Sequence, residues 1–471
     1  MEPVDSMNTI KYKMNRSILP LLLAALVLLY ALLPLPAQAL ELPYLNAKAA
    51  VLMDAYSGEM LFSQNADTPL YVAGLTAMMT CLLAAEAVER GEIDYTDMVT
   101  ASNTSHNDIT ADASIQNIVP GETVRLDNLL YCALVGSASE ACNIIGEYVA
   151  GGSAADFVAS MNRRAVELGC TNTRFMNMHG LPAENHYSTA HDMALIASEF
   201  VRHDKLMDIS NTVSKEIPST NYSDARYLSS GNYILRTDYT RYYYSYASGI
   251  KSSYTEEAGY CLASSVKTDD TYVVSIVLGC EMVEADDGYF DIQSFVQTKK
   301  LFKWFFENYS LRYVVNPIEP VAEVPLSMGD GLDTVVVCAS DGLALFLPNE
   351  MDISQSFRRD IRIYSQEEAA EPLVAPVYRG QVLGEVTVTA VDGTVYGPYS
   401  LTANTDVEVS RYALMQARIR ETLSSRWLKL TILIVVLIVA LYIAFVIRYN
   451  VIRAKRRKAL QEGRSIPGKK K

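Results

Sequence analysis

Along this 471-residue chain the spacing of apolar positions changes several times. In "AAVLMDAYSGEMLFSQNADTPLYV" two strand-like runs flank Tyr56-Ser57-Gly58, which predicts a β-hairpin turning there. Residues 76–90 are apolar almost throughout and rich in Ala, Leu and Met, the signature of a buried helix with Gly91 as its stop. From Arg125 to Gly152 the pattern predicts two short helices separated by Gly136-Ser137-Ala138-Ser139. "SAADFVASMNRRAVELGC" places Phe157, Val158, Met161, Ala165 and Leu168 on one face of an amphipathic helix. "YSTAHDMALIASEFVRH" predicts another, with Ser188 or Thr189 as its N-cap. Strands return in "YCLASSVKTDDTYVVSIVLGCE", joined at Asp269-Asp270, and "FDIQSFVQTKKLFKWFFENY" predicts a closing helix. Strands first, helices in the middle and strands last within one unit indicate an α+β fold, a sheet with helical inserts.

A different texture begins at residue 314. "VVNPIEPVAEVP" reads as a Pro-containing linker, and from there to about Arg411 short strands are punctuated by Gly329-Asp330-Gly331, Ser340-Asp341-Gly342 and Asp392-Gly393, the pattern of a small all-β domain. Residues 412–429 predict a connecting helix. It leads into "LTILIVVLIVALYIAFVI", residues 430–447, a run without charge. At about 1.5 Å per residue that run spans most of a hydrocarbon core, so it is expected to be a transmembrane helix. Trp427 precedes it as an interfacial aromatic, and "RYNVIRAKRRK" lies directly after it. Basic residues on that flank predict a cytoplasmic tail, residues 448–471, with the bulk of the chain outside the cytoplasm. At the other end, Lys11, Lys13 and Arg16 stand ahead of an apolar run that closes with Ala37-Gln38-Ala39. This small-x-small pattern predicts a signal peptide over residues 1–39.

Charge sharpens this division. The formal net charge is −14, yet from Arg448 onward ten Lys/Arg face one Glu, a balance of +9 that leaves −23 on the remainder. So acidic a body argues against nucleic acid as a partner. Seven cysteines cannot all pair within one chain, and none forms a C-x-x-C pair, so a zinc or redox motif is unsupported and buried thiols are expected. His179, His186 and His191 lack a carboxylate at ligand spacing on a shared helix and are expected to bond locally, so no metal or cofactor is implied. The run "DYTRYYYSYASG" reads either as an edge strand with alternating faces or as an aromatic wall beside a groove.

Six stretches in register carry a resemblance: "LMDAYSGEMLFSQNAD", "LTAMMTCLLAAEAVERGEI", "LLYCALVGSASEACNIIGEYVAGG", "NTRFMNMHGLPAENHYSTAHDMALIA", "SGIKSSYTEEAGYCLASS" and "APVYRGQVLGEV". Together they cover about residues 45–410, and their order resembles the D-alanyl-D-alanine carboxypeptidases, the low-molecular-weight penicillin-binding proteins that trim peptidoglycan stem peptides. The resemblance implies a penicillin-binding/β-lactamase-like transpeptidase domain over residues 40–312 and a small β domain over residues 318–410, ahead of the membrane helix.

The family's cleft is built from three motifs, S-x-x-K, S-x-N and K-T-G. In the first, Ser attacks the carbonyl of the penultimate D-Ala and Lys, one helical turn later, helps take its proton. The register here is Gly74-Leu75-Thr76-Ala77, which offers neither a hydroxyl nor a basic atom at the two reacting positions. S-x-N aligns with Ser137-Ala138-Ser139, where a shorter hydroxyl replaces the amide. K-T-G aligns with Lys251-Ser252-Ser253, where Lys251 suits a substrate carboxylate and Ser253 replaces a glycine, narrowing the groove. The resemblance thus makes Ser137, Ser139, Lys251 and Ser252 substrate-binding candidates, with no catalytic residue at the nucleophile and base positions. The string "SSVK", Ser264 to Lys267, lies in a strand where side chains three apart point to opposite faces and cannot share a proton. These residues together predict a membrane-anchored, carboxypeptidase-like protein of the cell envelope that lacks acyl-transfer activity and whose cleft binds a stem peptide or an envelope protein. Two other readings stay open: an active serine carboxypeptidase with its nucleophile elsewhere, and a non-catalytic structural or docking module.

Overall fold

The computed structural model describes residues 42–269, 271–367 and 371–461. The expected signal peptide, Asp270 of the hairpin tip and the last ten residues lie outside them. The chain divides into two compact units, one ending at Ser310 and the other beginning at Leu311.

In the first unit, Ala49–Asp54 (β1) and Met60–Gln64 (β2) form the expected hairpin. Asp54 shapes its turn by accepting from the Tyr56 amide and the Ser57 hydroxyl. Ala247–Thr255 (β3), Gly259–Lys267 (β4) and Tyr272–Cys280 (β5) complete a five-stranded antiparallel sheet in the order β2-β1-β5-β4-β3. Central β5 has all nine residues buried, which requires cover on both faces of the sheet. Val274, Ile276 and Leu278 join Ala49, Val51 and Met53 in the main core with the helical layer. The intervening residues face the other way, where Gln293–Asn308 packs against β4 and β5 with Leu301, Phe302 and Phe305 buried.

The helical layer is built around Ala77–Glu89 (α1), in which ten of thirteen residues are buried. One 3₁₀ turn, Ala73–Thr76, precedes it. Gly91 ends it at φ +72°, with its amide bonded to the Val88 carbonyl and that of Glu92 to Ala87, a Schellman closure. Leu126–Leu134 (α2) and Ser139–Val149 (α3) are the two expected short helices, and both pack on α1. Ala154–Glu167 (α4) is capped by Ser153 and buries Phe157, Met161 and Ala165. Ala190–Phe200 (α5) lies on β1 and β5, and Thr189 rather than Ser188 caps it, accepting from the Asp192 amide. Asp204–Ser210 (α6) and Gln293–Asn308 (α7) are the remaining α-helices among the described residues of this unit.

Residues 239–246 correct one expectation. They form turns, and the edge strand begins only at Ala247. Tyr242, Tyr244 and Tyr246 lie against Phe295, Phe302 and Phe306, at ring separations of 5.3, 5.9 and 6.4 Å. Contact with an aromatic helix face decides their placement, so strand alternation does not.

Tyr309–Val315 (β6) begins two residues before the second unit, which holds the rest of it with Pro320–Pro325 (β7), Thr334–Ala339 (β8), Leu343–Pro348 (β9), Phe357–Ile363 (β10), Val382–Ala390 (β11) and Val395–Ala403 (β12). Five of them form an antiparallel sheet in the order β7-β8-β12-β11-β10, and β6 pairs with β9. The linker expected over residues 314–325 is thus largely strand; its prolines are tolerated because β7 is an edge. Arg411–Ser424 (α8) breaks at Ser425 before Arg426–Gln461 (α9), so the expected connecting helix is not continuous. Within α9, Arg426–Lys458 is long and apolar enough to cross a membrane.

Candidate active-site cleft

The three motif segments meet in the first unit. Gly74, Ala77, Ser137, Ser139, Lys251, Ser252 and Ser253 all line one cleft of about 520 Å³. Gly74 lies in the 3₁₀ turn and Ala77 is the first residue of α1, so a single turn of backbone presents both positions to the cleft. Neither offers a reactive atom. The backbone around them is nevertheless tightly specified. Ala73 sits at φ +48°, an uncommon left-handed conformation for a residue with a Cβ. The Thr76 hydroxyl donates to the Ala73 carbonyl at 3.1 Å, and His186 Nε2 lies 3.0 Å from that hydroxyl. Because His186 Nδ1 accepts from the Met176 amide, Nε2 carries the proton and donates to Thr76. Gly180, at φ +85°, closes the arrangement from below: a Cβ there would fall 1.9 Å from the Ala73 oxygen.

His179 also bonds locally, its Nδ1 accepting from the Leu181 amide. Burial pushes both His179 and His186 down to about 4, so each is neutral near pH 7. The more exposed His191 pairs with Asp67 at 3.0 Å.

Across the cleft, Ser137 occupies the turn between α2 and α3 at φ +53°. Lys251 projects from β3, an edge strand, and is only 2% exposed. Its Nζ donates to the Leu134 carbonyl at 3.1 Å and to the Ser137 hydroxyl at 2.5 Å. Burial pulls this amine down to about 8. Ser139 begins α3, its amide donating to the Ser114 carbonyl while its side chain lines the cleft. Ser253 makes a contact that the sequence does not announce: its hydroxyl accepts from the Gly74 amide at 2.8 Å. The only sequence signal is the paired change itself, a side chain lost at one motif and gained at another.

The far end of the cleft is aromatic, with Tyr233, Tyr254, Tyr260 and Phe295 in its wall. Tyr254 and Tyr260 pack with tilted rings 4.4 Å apart, and none of the tyrosines at 239–246 lines the cleft. The "SSVK" residues do not pair: Ser264 is buried and donates to the Gly249 carbonyl, while exposed Lys267 lies over the Tyr272 ring. Elsewhere, Glu86, Glu199 and His203 bring ligand atoms within 4.8 Å of one another. Arg164 donates to Glu86 at 2.9 Å and to Glu199 at 3.0 Å, making this group an ion-pair network.

A family model described as D-alanyl-D-alanine carboxypeptidase matches residues 37–282, more than half of the chain. The chain belongs to the D-alanyl-D-alanine carboxypeptidase family. The carboxypeptidase DacC of Escherichia coli K12 is 31% identical over 74% of this chain and 81% of its own length. DacF of Bacillus subtilis is 27% identical over 77% of this chain and 86% of its own. The crystal structure of penicillin binding protein 5 from Haemophilus influenzae matches with a TM-score of 0.57 at 27% identity, covering 78% of this chain and 99% of that one. Measured against the family's motifs, the groups that pack α1 persist, with Leu75, Met78 and Met79 fully buried, while positions 74 and 77 carry no chemistry.

Proposed function

We propose that this chain is a membrane-anchored member of the family that recognises the carboxylate end of peptidoglycan stem peptides without cleaving them, its two folded units outside the cytoplasm and its basic tail inside. The observation that carries the reading is the pair Gly74 and Ala77 within an otherwise organised cleft. Without a hydroxyl at 74 the acyl-enzyme cannot form there, and without an amine at 77 no neighbour takes a proton. Loss of two members of one catalytic unit costs about as much as loss of all of it. Binding draws on other groups. An ammonium has three donors; the Leu134 carbonyl and the Ser137 hydroxyl take two from Lys251, leaving one for a ligand carboxylate. The same cleft could serve a carboxylate-bearing segment of an envelope protein.

Two measurements test this. The full chain is incubated with a fluorescent penicillin and run on a denaturing gel, and no covalent band is expected; a band would sink the proposal. A peptide ending in D-Ala-D-Ala is then titrated, with binding expected for the parent and lost in Lys251→Ala. Absence of binding in the parent would favour the inert-module reading instead.

The short Ser137–Lys251 contact favours a second reading, in which Ser137 is the nucleophile and Lys251 its base. That reading requires the amine to be free. It therefore expects penicillin labelling that rises with pH through about 8 and vanishes in Ser137→Ala.

A further inference from the structure

At a serine nucleophile the residue's own backbone N–H commonly donates to the oxygen of the carbonyl under attack, since that oxygen gains negative charge as the tetrahedral intermediate forms. In this chain the amide at the nucleophile position is that of Gly74, and it already donates to the Ser253 hydroxyl at 2.8 Å. The same hydroxyl lies 2.8 Å from the point where a Cβ on Gly74 would stand, with Ser253 Cβ at 3.5 Å. Gly74 is not in the left-handed region, so its backbone conformation does not itself demand a glycine. What stands where a side chain at 74 would go is Ser253, brought there from 179 residues away.

We infer that Ser253 is an internal plug: its hydroxyl occupies the place of a substrate's acyl oxygen and closes the cleft to an incoming carbonyl while leaving Lys251 open to a carboxylate. The inference rests on the proposed function and narrows it. A peptide that sets its terminal carboxylate on Lys251 finds the Gly74 amide already taken. It is held by its end alone, which selects for a free carboxylate and is indifferent to the bond one residue back. The hydroxyl missing at 74 and the hydroxyl present at 253 are therefore one coupled change in one small volume. A glycine at 253, with no side chain, would leave the amide free; a serine at 74 would collide with Ser253 as it now lies.

The test uses the full chain and a tripeptide ending in D-Ala-D-Ala. Ser253→Gly and Ser253→Ala both free the Gly74 amide. Each is expected to bind the tripeptide about tenfold tighter than the parent, as one added hydrogen bond allows. Hydrogen exchange in fragments spanning Ala73–Thr76 is expected to quicken in both variants and to slow again when the tripeptide is added. Unchanged affinity together with unchanged exchange would overturn the plug. A second arm restores the chemistry: Gly74→Ser with Ala77→Lys is expected to take up fluorescent penicillin at least tenfold more slowly than the same protein carrying Ser253→Gly. Equal uptake by the two also overturns it. If the restored proteins do not fold, affinity and exchange in Ser253→Ala decide the matter alone. Penicillin uptake by the unaltered parent would end the proposed function instead, and it would do so without reference to any Ser253 variant.

Discussion

Lys251 is the only charged side chain among the described residues lining the cleft, and its environment sets when that charge exists. Burial lowers it from 10.5 to about 8. A carboxylate ligand needs the ammonium, so tripeptide affinity is expected to be level below pH 7 and to fall as pH rises through about 8. A titration by fluorescence anisotropy checks this; an ordinary surface lysine would show no loss until well above that range. His186 gives the opposite limb. Its folded value of about 4 lies below the ordinary 6.5, so the unfolded chain takes up its proton first as pH falls. Stability from His186 is therefore complete above about 6.5 and is lost as pH drops toward 4, by at most roughly 3 kcal/mol at 1.36 kcal/mol per pH unit. Melting temperatures of the parent and His186→Asn, followed from pH 7 to pH 4, should converge at the acid end. Residue identity makes positions 74, 77, 137 and 251 legible in the sequence, since each belongs to a motif of fixed spacing. The bond from Gly74 to Ser253 is not legible there, because it depends on a hydroxyl rotamer and on two segments far apart in the chain.

At the scale of elements, the start of α1 is held from outside itself. The segment ending at Gly180 passes so close beneath Ala73 that no side chain fits between them. Gly180→Ala is expected to cost more than about 2 kcal/mol, combining a left-handed backbone with a collision against main chain. Thermal or denaturant unfolding measures that cost, and tripeptide binding should weaken with it because the floor of the cleft shifts. Helices with strong amphipathic or apolar patterns are readable in the sequence almost to their ends, as the Schellman closure at Gly91 and the cap at Thr189 illustrate. The tyrosine run misleads because periodicity reports only which residues seek cover. It does not report that the cover is Phe295, Phe302 and Phe306 on α7, more than fifty residues later. The linker misleads for a related reason: proline signals a break, yet an edge strand with one unpaired side accepts it.

For the whole molecule, composition and charge separate an acidic folded body from an apolar and then basic end. The final helix exposes Ile432, Leu433, Val436, Leu437 and Phe445 in one uninterrupted surface, an apolar area that water does not tolerate at this size. Removing residues 426–471 is expected to move the protein from the membrane pellet to the soluble fraction on ultracentrifugation, and persistence in the pellet would assign anchoring to another segment.

The internal pairing of the cleft's polar groups also bears on thermal endurance. Reactive sites ordinarily oppose folding, because they hold buried donors unpaired and like charges close together, and proteins trade stability for them. In this chain the Gly74 amide has Ser253, the Lys251 ammonium has Leu134 and Ser137, and Ala77 keeps a second ammonium out of a cavity that already contains one. Serine placed at 74 and lysine placed at 77 would disturb that pairing, so the doubly substituted protein is expected to melt below its parent in a thermal scan. Within one turn of helix, reactivity and heat resistance are alternatives.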